Sequence, residues 1–165
     1  MPNERSPIYW DACACLSYVN EMAARLPVLD ALLAASSSDN GNIKLYTSAI
    51  TKVEVSFGAT EQKNKALDDE IEGRIDKLWT APGAFVTVAY HDGIGREARN
   101  LIRTAITNGW SLKPLDAIHL ATIKWLIRVG IQVKEFQTYD QALFKYDQIV
   151  GCTIREPYIQ EPKLF

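Results

Sequence analysis

Short apolar runs rich in strand formers alternate with stretches of helical periodicity along the whole chain, and this alternation constrains the fold more than any other feature. Ile8 to Trp10, Ile43 to Thr47, Phe85 to Ala89 and Val133 to Thr138 read as strands, with Cys152 to Ile154 as a last one. Helical spacing runs from Ala12 to Leu26 through Leu16, Val19 and Ala23, and Pro27 either ends that helix or opens the next. Val28 to about Ala35 gives a second helix, which dissolves into the turn-forming SSSDNG at 36–41. A further helix is expected from about Ala49 to Phe57. From Glu61 to Trp79 a long charged helix carries the apolar stripe Leu67, Ile71, Ile75, Leu78, with Asp68, Asp69, Glu70 and Glu72 on a solvated face. Pro82 and Gly83 break the chain before the Phe85 strand. Ile94, Ala98, Leu101 and Ala105 then space one helical face as far as Asn108 and Gly109. Leu115 to Val129 is apolar almost all round, the mark of a helix buried within the fold, and Gly130 supplies its stop. Gln141 to Tyr146 makes a short helix. Strands that alternate with helices in this way imply an α/β fold, a mostly parallel sheet covered on both faces.

The chain of 165 residues is long enough to bury a sizeable core, and residues 1–165 read as a single domain with an extended tail from about 155. Eighteen Lys and Arg against 20 Asp and Glu give a net charge of -2, which excludes nucleic-acid binding through bulk positive charge. A phosphate-bearing partner would need a local basic stripe or a bound metal. Cys13, Cys15 and Cys152 form no CxxC pair and have no His at zinc-ligand spacing, so free buried thiols are expected. The N-terminus MPNERSPIYW lacks the apolar stretch of a secretory signal, and no run approaches the ~18 apolar residues of a membrane span, so a cytoplasmic protein is expected.

Four acids are placed where such a sheet collects function, in the crevice beyond the carboxyl ends of its strands. Asp11 follows the first strand directly, and Asp140 lies just past the strand that begins at Val133. Glu54, in TSAITKVEVSFG, sits about two turns into the helix after the second strand, and Asp116, in KPLDAIHLA, opens the apolar helix. Two carboxylates about 4 Å apart repel by roughly 4 kcal/mol at an effective dielectric near 20, so such a cluster keeps protons or holds a cation. Hard oxygen donors without His or Cys select Mg²⁺ or Mn²⁺, which can activate water and stabilise a phosphodiester under attack. Each acid also has an ordinary role. Asp11, Asp116 and Asp140 could cap the helices that follow them, and Glu54 could be a half-exposed helix residue.

At these four segments the chain resembles the PIN-domain family. The matching stretches are IYWDACACL with Asp11, SAITKVE with Ser48, Thr51 and Glu54, LDAIHLA with Asp116, and TYDQAL with Thr138 and Asp140. The resemblance spans residues 8 to about 146 and implies a three-layer α/β/α sandwich. It further implies a Mg²⁺- or Mn²⁺-dependent nuclease that acts on RNA, with the four acids as metal ligands and Ser48, Thr51 and Thr138 supporting them. Relatives of this kind are often the toxin half of a toxin-antitoxin pair of the VapC type, are blocked by a small antitoxin protein and commonly form homodimers. Two positions depart from the pattern: Cys13 stands where many relatives have Ser or Thr, and Ala142 where many have a further acid. These departures support an alternative, a non-catalytic protein- or RNA-binding module with a degenerate metal site.

Arg96, Arg99 and Arg103 recur on one helix face as a basic stripe that could track an RNA backbone, or be a solvated face with Glu97 compensating it. Lys52, on the Glu54 helix, and Lys113, beside Asp116, are the other candidate RNA contacts. GIGREA at 93–98 fits a dinucleotide fingerprint, but the expected acid some 20 residues on falls at the start of a helix, so Gly93 and Gly95 read as turn residues. His119, one turn after Asp116, reads as a packed or capping histidine before a general base, and Trp79, Trp110 and Trp125 as packing residues. Aspartyl-phosphate chemistry would also place an Asp after the first strand, but DACAC offers no second acid or Lys.

Overall fold

The computed structural model describes residues 4–80 and 83–160. Its strands are β1 (Ser6–Trp10), β2 (Ile43–Ser48), β3 (Phe85–Val88), β4 (Glu135–Gln137) and β5 (Thr153–Arg155). The helices are α1 (Ala12–Val19), α2 (Leu26–Ser37), α3 (Thr51–Glu54), α4 (Ala59–Asn64), α5 (Asp69–Thr80), α6 (Asp92–Thr107), α7 (Pro114–Arg128) and α8 (Asp147–Val150), with a 3₁₀ helix over Gln141–Tyr146. The strands form one sheet in the order β3-β2-β1-β4-β5, and every neighbouring pair is parallel.

Because successive side chains of a strand point to opposite faces, β1 feeds two cores. Tyr9 packs with Phe136 and with Leu101, Leu120 and Ile123 of α6 and α7. Ile8 and Trp10 pack with Leu45 of β2 and with Cys15, Leu29, Leu32, Ile71 and Leu78 of α1, α2 and α5. The result is a three-layer α/β/α sandwich. The chain runs outward from β1 through β2 to β3 and then returns to place β4 on the other side of β1. That reversal opens a crevice beyond the carboxyl ends of β1 and β4, the point at which open parallel sheets bind ligands.

Three elements differ from the sequence reading. The helix expected over 12–26 stops at Val19: Asn20 caps it, its Oδ1 accepts from Ala59 N, and Glu21 takes a φ of 49°. Pro27 then opens α2 within its first turn. The long helix expected over 61–79 is split at Lys65, which has a φ of 54°. Glu61, only 6% exposed, holds the break, since its two carboxylate oxygens accept from Gly58 N and Asp68 N. Asp68 in turn accepts from the amides of Glu70 and Ile71 and starts α5, which leaves Leu67 outside the apolar stripe at 85% exposed. The helix expected from Ala49 to Phe57 is the single turn α3, whereas the short helix expected over Gln141–Tyr146 is present, as a 3₁₀ helix.

Pro82 lies outside the described residues, as do residues 161–165 at the end of the tail. After β5, residues 156–160 carry no regular structure, and the Tyr158 hydroxyl donates to Glu135 Oε1 at 2.8 Å. All three cysteines are free, but only Cys15 is buried, with Cys13 and Cys152 half-buried. Trp79, Trp110 and Trp125 pack against the cores. Among the described residues no helix is long and apolar enough to cross a membrane.

Candidate active site

Asp11 follows β1 without a spacer, so its side chain emerges at the carboxyl end of the central strand. Its Oδ1 accepts from Ala14 N at 3.3 Å and caps α1, while the Thr138 hydroxyl donates to its Oδ2 at 2.7 Å. Thr138 follows β4, so this bond ties the two strand ends across the crevice. Burial, opposed by the His119 charge and the Thr138 hydrogen bond, pushes the Asp11 carboxyl up to about 6.

Asp116 lies in the first turn of α7 but does not cap it, because that helix has Lys113 at its N-cap. Its pKa is raised, first by burial, then by the charge of Asp140 and, more weakly, that of Glu54. Asp116 raises Asp11 in its turn. Asp116 therefore lies within electrostatic reach of each of the other three acids. Asp140 Oδ1 accepts from Ala142 N at 3.0 Å and caps the 3₁₀ helix, and its own amide donates to Thr138 Oγ1.

Glu54 ends α3, a turn fixed to the sheet by a buried hydroxyl chain. The Thr47 hydroxyl donates to the Trp10 carbonyl at 2.7 Å, and Thr51 Oγ1 lies 2.8 Å from Thr47 Oγ1. Ser48, also buried, accepts from Ile50 N at the start of that turn. Glu54 Oε1 lies 2.6 Å from Nε2 of His119, a residue 1% exposed, and His119 Nδ1 lies 2.7 Å from the Tyr9 hydroxyl. A carboxylate only accepts, so Nε2 carries a hydrogen and donates to Glu54, while Nδ1 shares a second hydrogen bond with the Tyr9 hydroxyl. Sequence reasoning placed His119 on the Asp116 face but missed its partners. Tyr9 and Glu54 are 45 residues apart in the chain, and the only signal was a polar residue inside an otherwise apolar helix.

The donor set suits a hard divalent ion and no softer one: carboxylates supply the oxygens, and the single histidine is already bonded on both nitrogens. It is not a ready-made cage. Among the described residues no three His, Cys, Asp or Glu side chains are gathered closely enough to enclose an ion. Mg²⁺ keeps several of its waters and takes only one or two direct carboxylates, so a loosely spaced set of acids fits it.

The basic candidates fall into two groups. Lys113 acts on the site, since its charge partly offsets the raised pKa of Asp116. Lys52 is exposed and leans over the Trp79 ring at 5.8 Å from its centroid. Arg96, Arg99 and Arg103 are exposed on α6, where Arg96 pairs with Asp92 at 2.7 Å. Glu97 does not compensate the stripe, because it pairs across to Lys124 of α7. Gly93 and Gly95 are in the first turn of α6 rather than in a turn before it. A Cβ on Gly95 would meet the Tyr90 hydroxyl at 2.5 Å, a packing reason for that glycine. A cavity of about 480 Å³ opens at the other end of the sheet, lined by Ser6, Ile43, Lys134 and Glu135 at the strand starts, and none of the four acids borders it.

Solved structures share this architecture at low sequence identity. VapBC2 from Rickettsia felis, bound to a DNA fragment from the VapBC2 promoter, matches at 12% identity and a TM-score of 0.61, covering 91% of this chain and 98% of the other. FitAcB from Neisseria gonorrhoeae matches at 14% identity and a TM-score of 0.57, covering 93% and 99%. VapC20 from Mycobacterium tuberculosis, a Sarcin-Ricin loop cleaving toxin, matches at 16% identity and a TM-score of 0.53, covering 81% and 90%. No curated protein matches at a significant level. The family model for the PIN domain matches residues 8–147, which takes in the end of β1 and all four acids, and the chain is therefore a member of the PIN domain family.

Proposed function

We propose that the protein is a metal-dependent endoribonuclease whose site is Asp11, Glu54, Asp116 and Asp140. The observation that carries this reading is the placement of Asp116 at the switch point of the sheet, within electrostatic reach of Asp11, Glu54 and Asp140. Repulsion among like charges of this kind, with Asp11 buried and the other three half-buried, is relieved by a cation. Mg²⁺ or Mn²⁺ bound there lowers the pKa of water and balances charge on phosphoryl oxygens.

The remaining residues hold the donors in place. Thr138 fixes one oxygen of Asp11, the Tyr9–His119 chain fixes one oxygen of Glu54, and Ser48 and Thr51 anchor the turn that carries Glu54. Lys113, at the mouth, offers positive charge to an incoming phosphate. Hydrolysis of an RNA phosphodiester would leave 5'-phosphate and 3'-hydroxyl ends. Membership of the PIN domain family, together with fold neighbours described as VapBC, FitAcB and VapC20, supports placing the chain as the toxin of a toxin-antitoxin pair. A small antitoxin protein, a homodimer and a cytoplasmic setting belong to this reading.

One observation favours a second reading, a non-catalytic RNA- or protein-binding module: no three donors are already gathered among the described residues. End-labelled single-stranded RNA incubated with the purified protein separates the two. Cleavage with Mn²⁺ present, blocked by EDTA and yielding 5'-phosphate ends, is expected. Intact RNA at every Mn²⁺ concentration would leave the binding module.

A further inference from the structure

The four acids repel the polyanion they are proposed to cut, so an RNA strand needs a cation at the rim of the crevice to hold it there. The stripe on α6 is partly committed to Asp92, and Lys52 leans over the Trp79 ring. A better-placed charge is Arg25, in the connection between α1 and α2, a residue without any motif to mark it in the sequence.

Arg25 is built into the site from two sides. Its guanidinium lies 3.9 Å above the centre of the Tyr139 ring, and Tyr139 stands between Thr138, which donates to Asp11, and Asp140. Its Nη1 donates to Ser17 Oγ at 2.9 Å, and the Ser17 hydroxyl donates to the carbonyl of Cys13, two residues after Asp11. One cation is thereby fixed to two of the four segments that bring acids to the crevice, those of Asp11 and Asp140. Its charge is felt there, since Arg25 acts on the Cys13 thiol together with Asp11 and Asp140.

The donors left over define a ligand. Arg25 is half-buried and makes no ion pair among the described residues, and only Nη1 is used, on Ser17 Oγ and more weakly on Met22 Sδ at 3.5 Å. Nε and Nη2 have no partner among the described residues. A guanidinium held over an aromatic ring and tied at Nη1 is restricted in orientation, and its remaining N–H groups lie in its own plane. That fork matches two oxygens of a phosphate. Such preorganisation costs little ordering when the ligand arrives.

We propose that Arg25, stacked on Tyr139, is an RNA backbone-phosphate subsite flanking the reacting position. It rests on the reading of the crevice as an RNA site. Tyr139 positions the guanidinium and Ser17 sets its reach. A Lys at this position would keep the charge but lose the two-oxygen geometry.

Anisotropy of a fluorescein-labelled single-stranded RNA, titrated with the full chain in EDTA so that nothing is cut, tests the subsite apart from the chemistry. Arg25→Gln is expected to weaken binding at least about tenfold and to reduce the slope of log K against log salt by about 0.7, the loss of one phosphate contact on a single strand. Arg25→Lys is expected to fall between, and it replaces the Gln variant as the readout if thermal unfolding shows that variant misfolded. Arg128→Gln, an exposed control in the last turn of α7, is expected to leave both quantities unchanged. Binding and salt slope that match wild type in both Arg25 variants would overturn the proposal, as would absence of RNA binding by the wild type. Arg25-dependent binding without cleavage in Mn²⁺ would sink the nuclease reading and leave the subsite standing, whereas cleavage indifferent to Arg25 would do the reverse.

Discussion

Replacing Asp116 with Asn is expected to lower RNA cleavage by at least about a hundredfold, the scale on which even indirect partners of a metal site matter, while the protein keeps or gains stability. Asp116 interacts with each of the other three acids, either raised by them or raising them. Its removal therefore takes away the centre of the donor set and relieves the like-charge repulsion together. The Asn keeps the shape and, because Asp116 caps nothing, no helix end is orphaned. Initial rates of cleavage and thermal unfolding in EDTA, measured on the same preparation, check both halves. Undiminished cleavage in the variant would remove Asp116 from the site, and a large loss of stability would show its carboxylate to be structural.

Asp11→Asn is expected to stabilise the metal-free protein at neutral pH, by up to about 3 kcal/mol, and to give no gain in acid. Burial pushes the folded-state Asp11 carboxyl from its usual 3.8 up to about 6. Between these values the folded chain holds a proton that the unfolded chain has released. Stability therefore falls as pH rises through that window, and the full penalty remains above it. Asn carries no charge to desolvate, its oxygen still accepts from Ala14 N, and its amide can donate to the Thr138 hydroxyl. Urea unfolding in EDTA at about pH 7.5 and about pH 4 reads the difference: a stabilised variant at the first and parity at the second. A variant less stable by the same amount at both would mean that the cap and the Thr138 bond, and not the buried charge, decide the role of Asp11.

Much of the fold was legible because it is periodic. The β1 to β5 runs and the α6 and α7 faces appear as expected to within a few residues, since strand and helix periods are set by side chains facing a core. The boundaries that moved were set by contacts distant in the sequence. No local pattern shows that Asn20 will accept from Ala59 N, or that Glu61 will turn inward to hold Gly58 N and Asp68 N. Asp68, two residues before Glu70 and three before Ile71, was a readable helix start obscured by the apolar spacing of Leu67 and Ile71. In the site, Asp11 and Asp140 could be placed because the first follows β1 directly and the second lies just past β4. The bond from Thr138 to Asp11 and the Tyr9–His119–Glu54 chain could not, because they exist only once β4 and α7 have packed beside β1. Arg25 was invisible for the same reason, as the expected continuous helix over 12–26 hid the connection that delivers it.

The measurement that bears most directly on this account is calorimetric titration of Mn²⁺ into the metal-free chain, beside Asp116→Asn under the same conditions. Saturable binding by the wild type, lost or severely weakened in the variant, is the predicted result. A wild type that takes up no Mn²⁺, or a variant that binds it equally well, would contradict the claim that these acids serve as the ligands of a hard divalent cation.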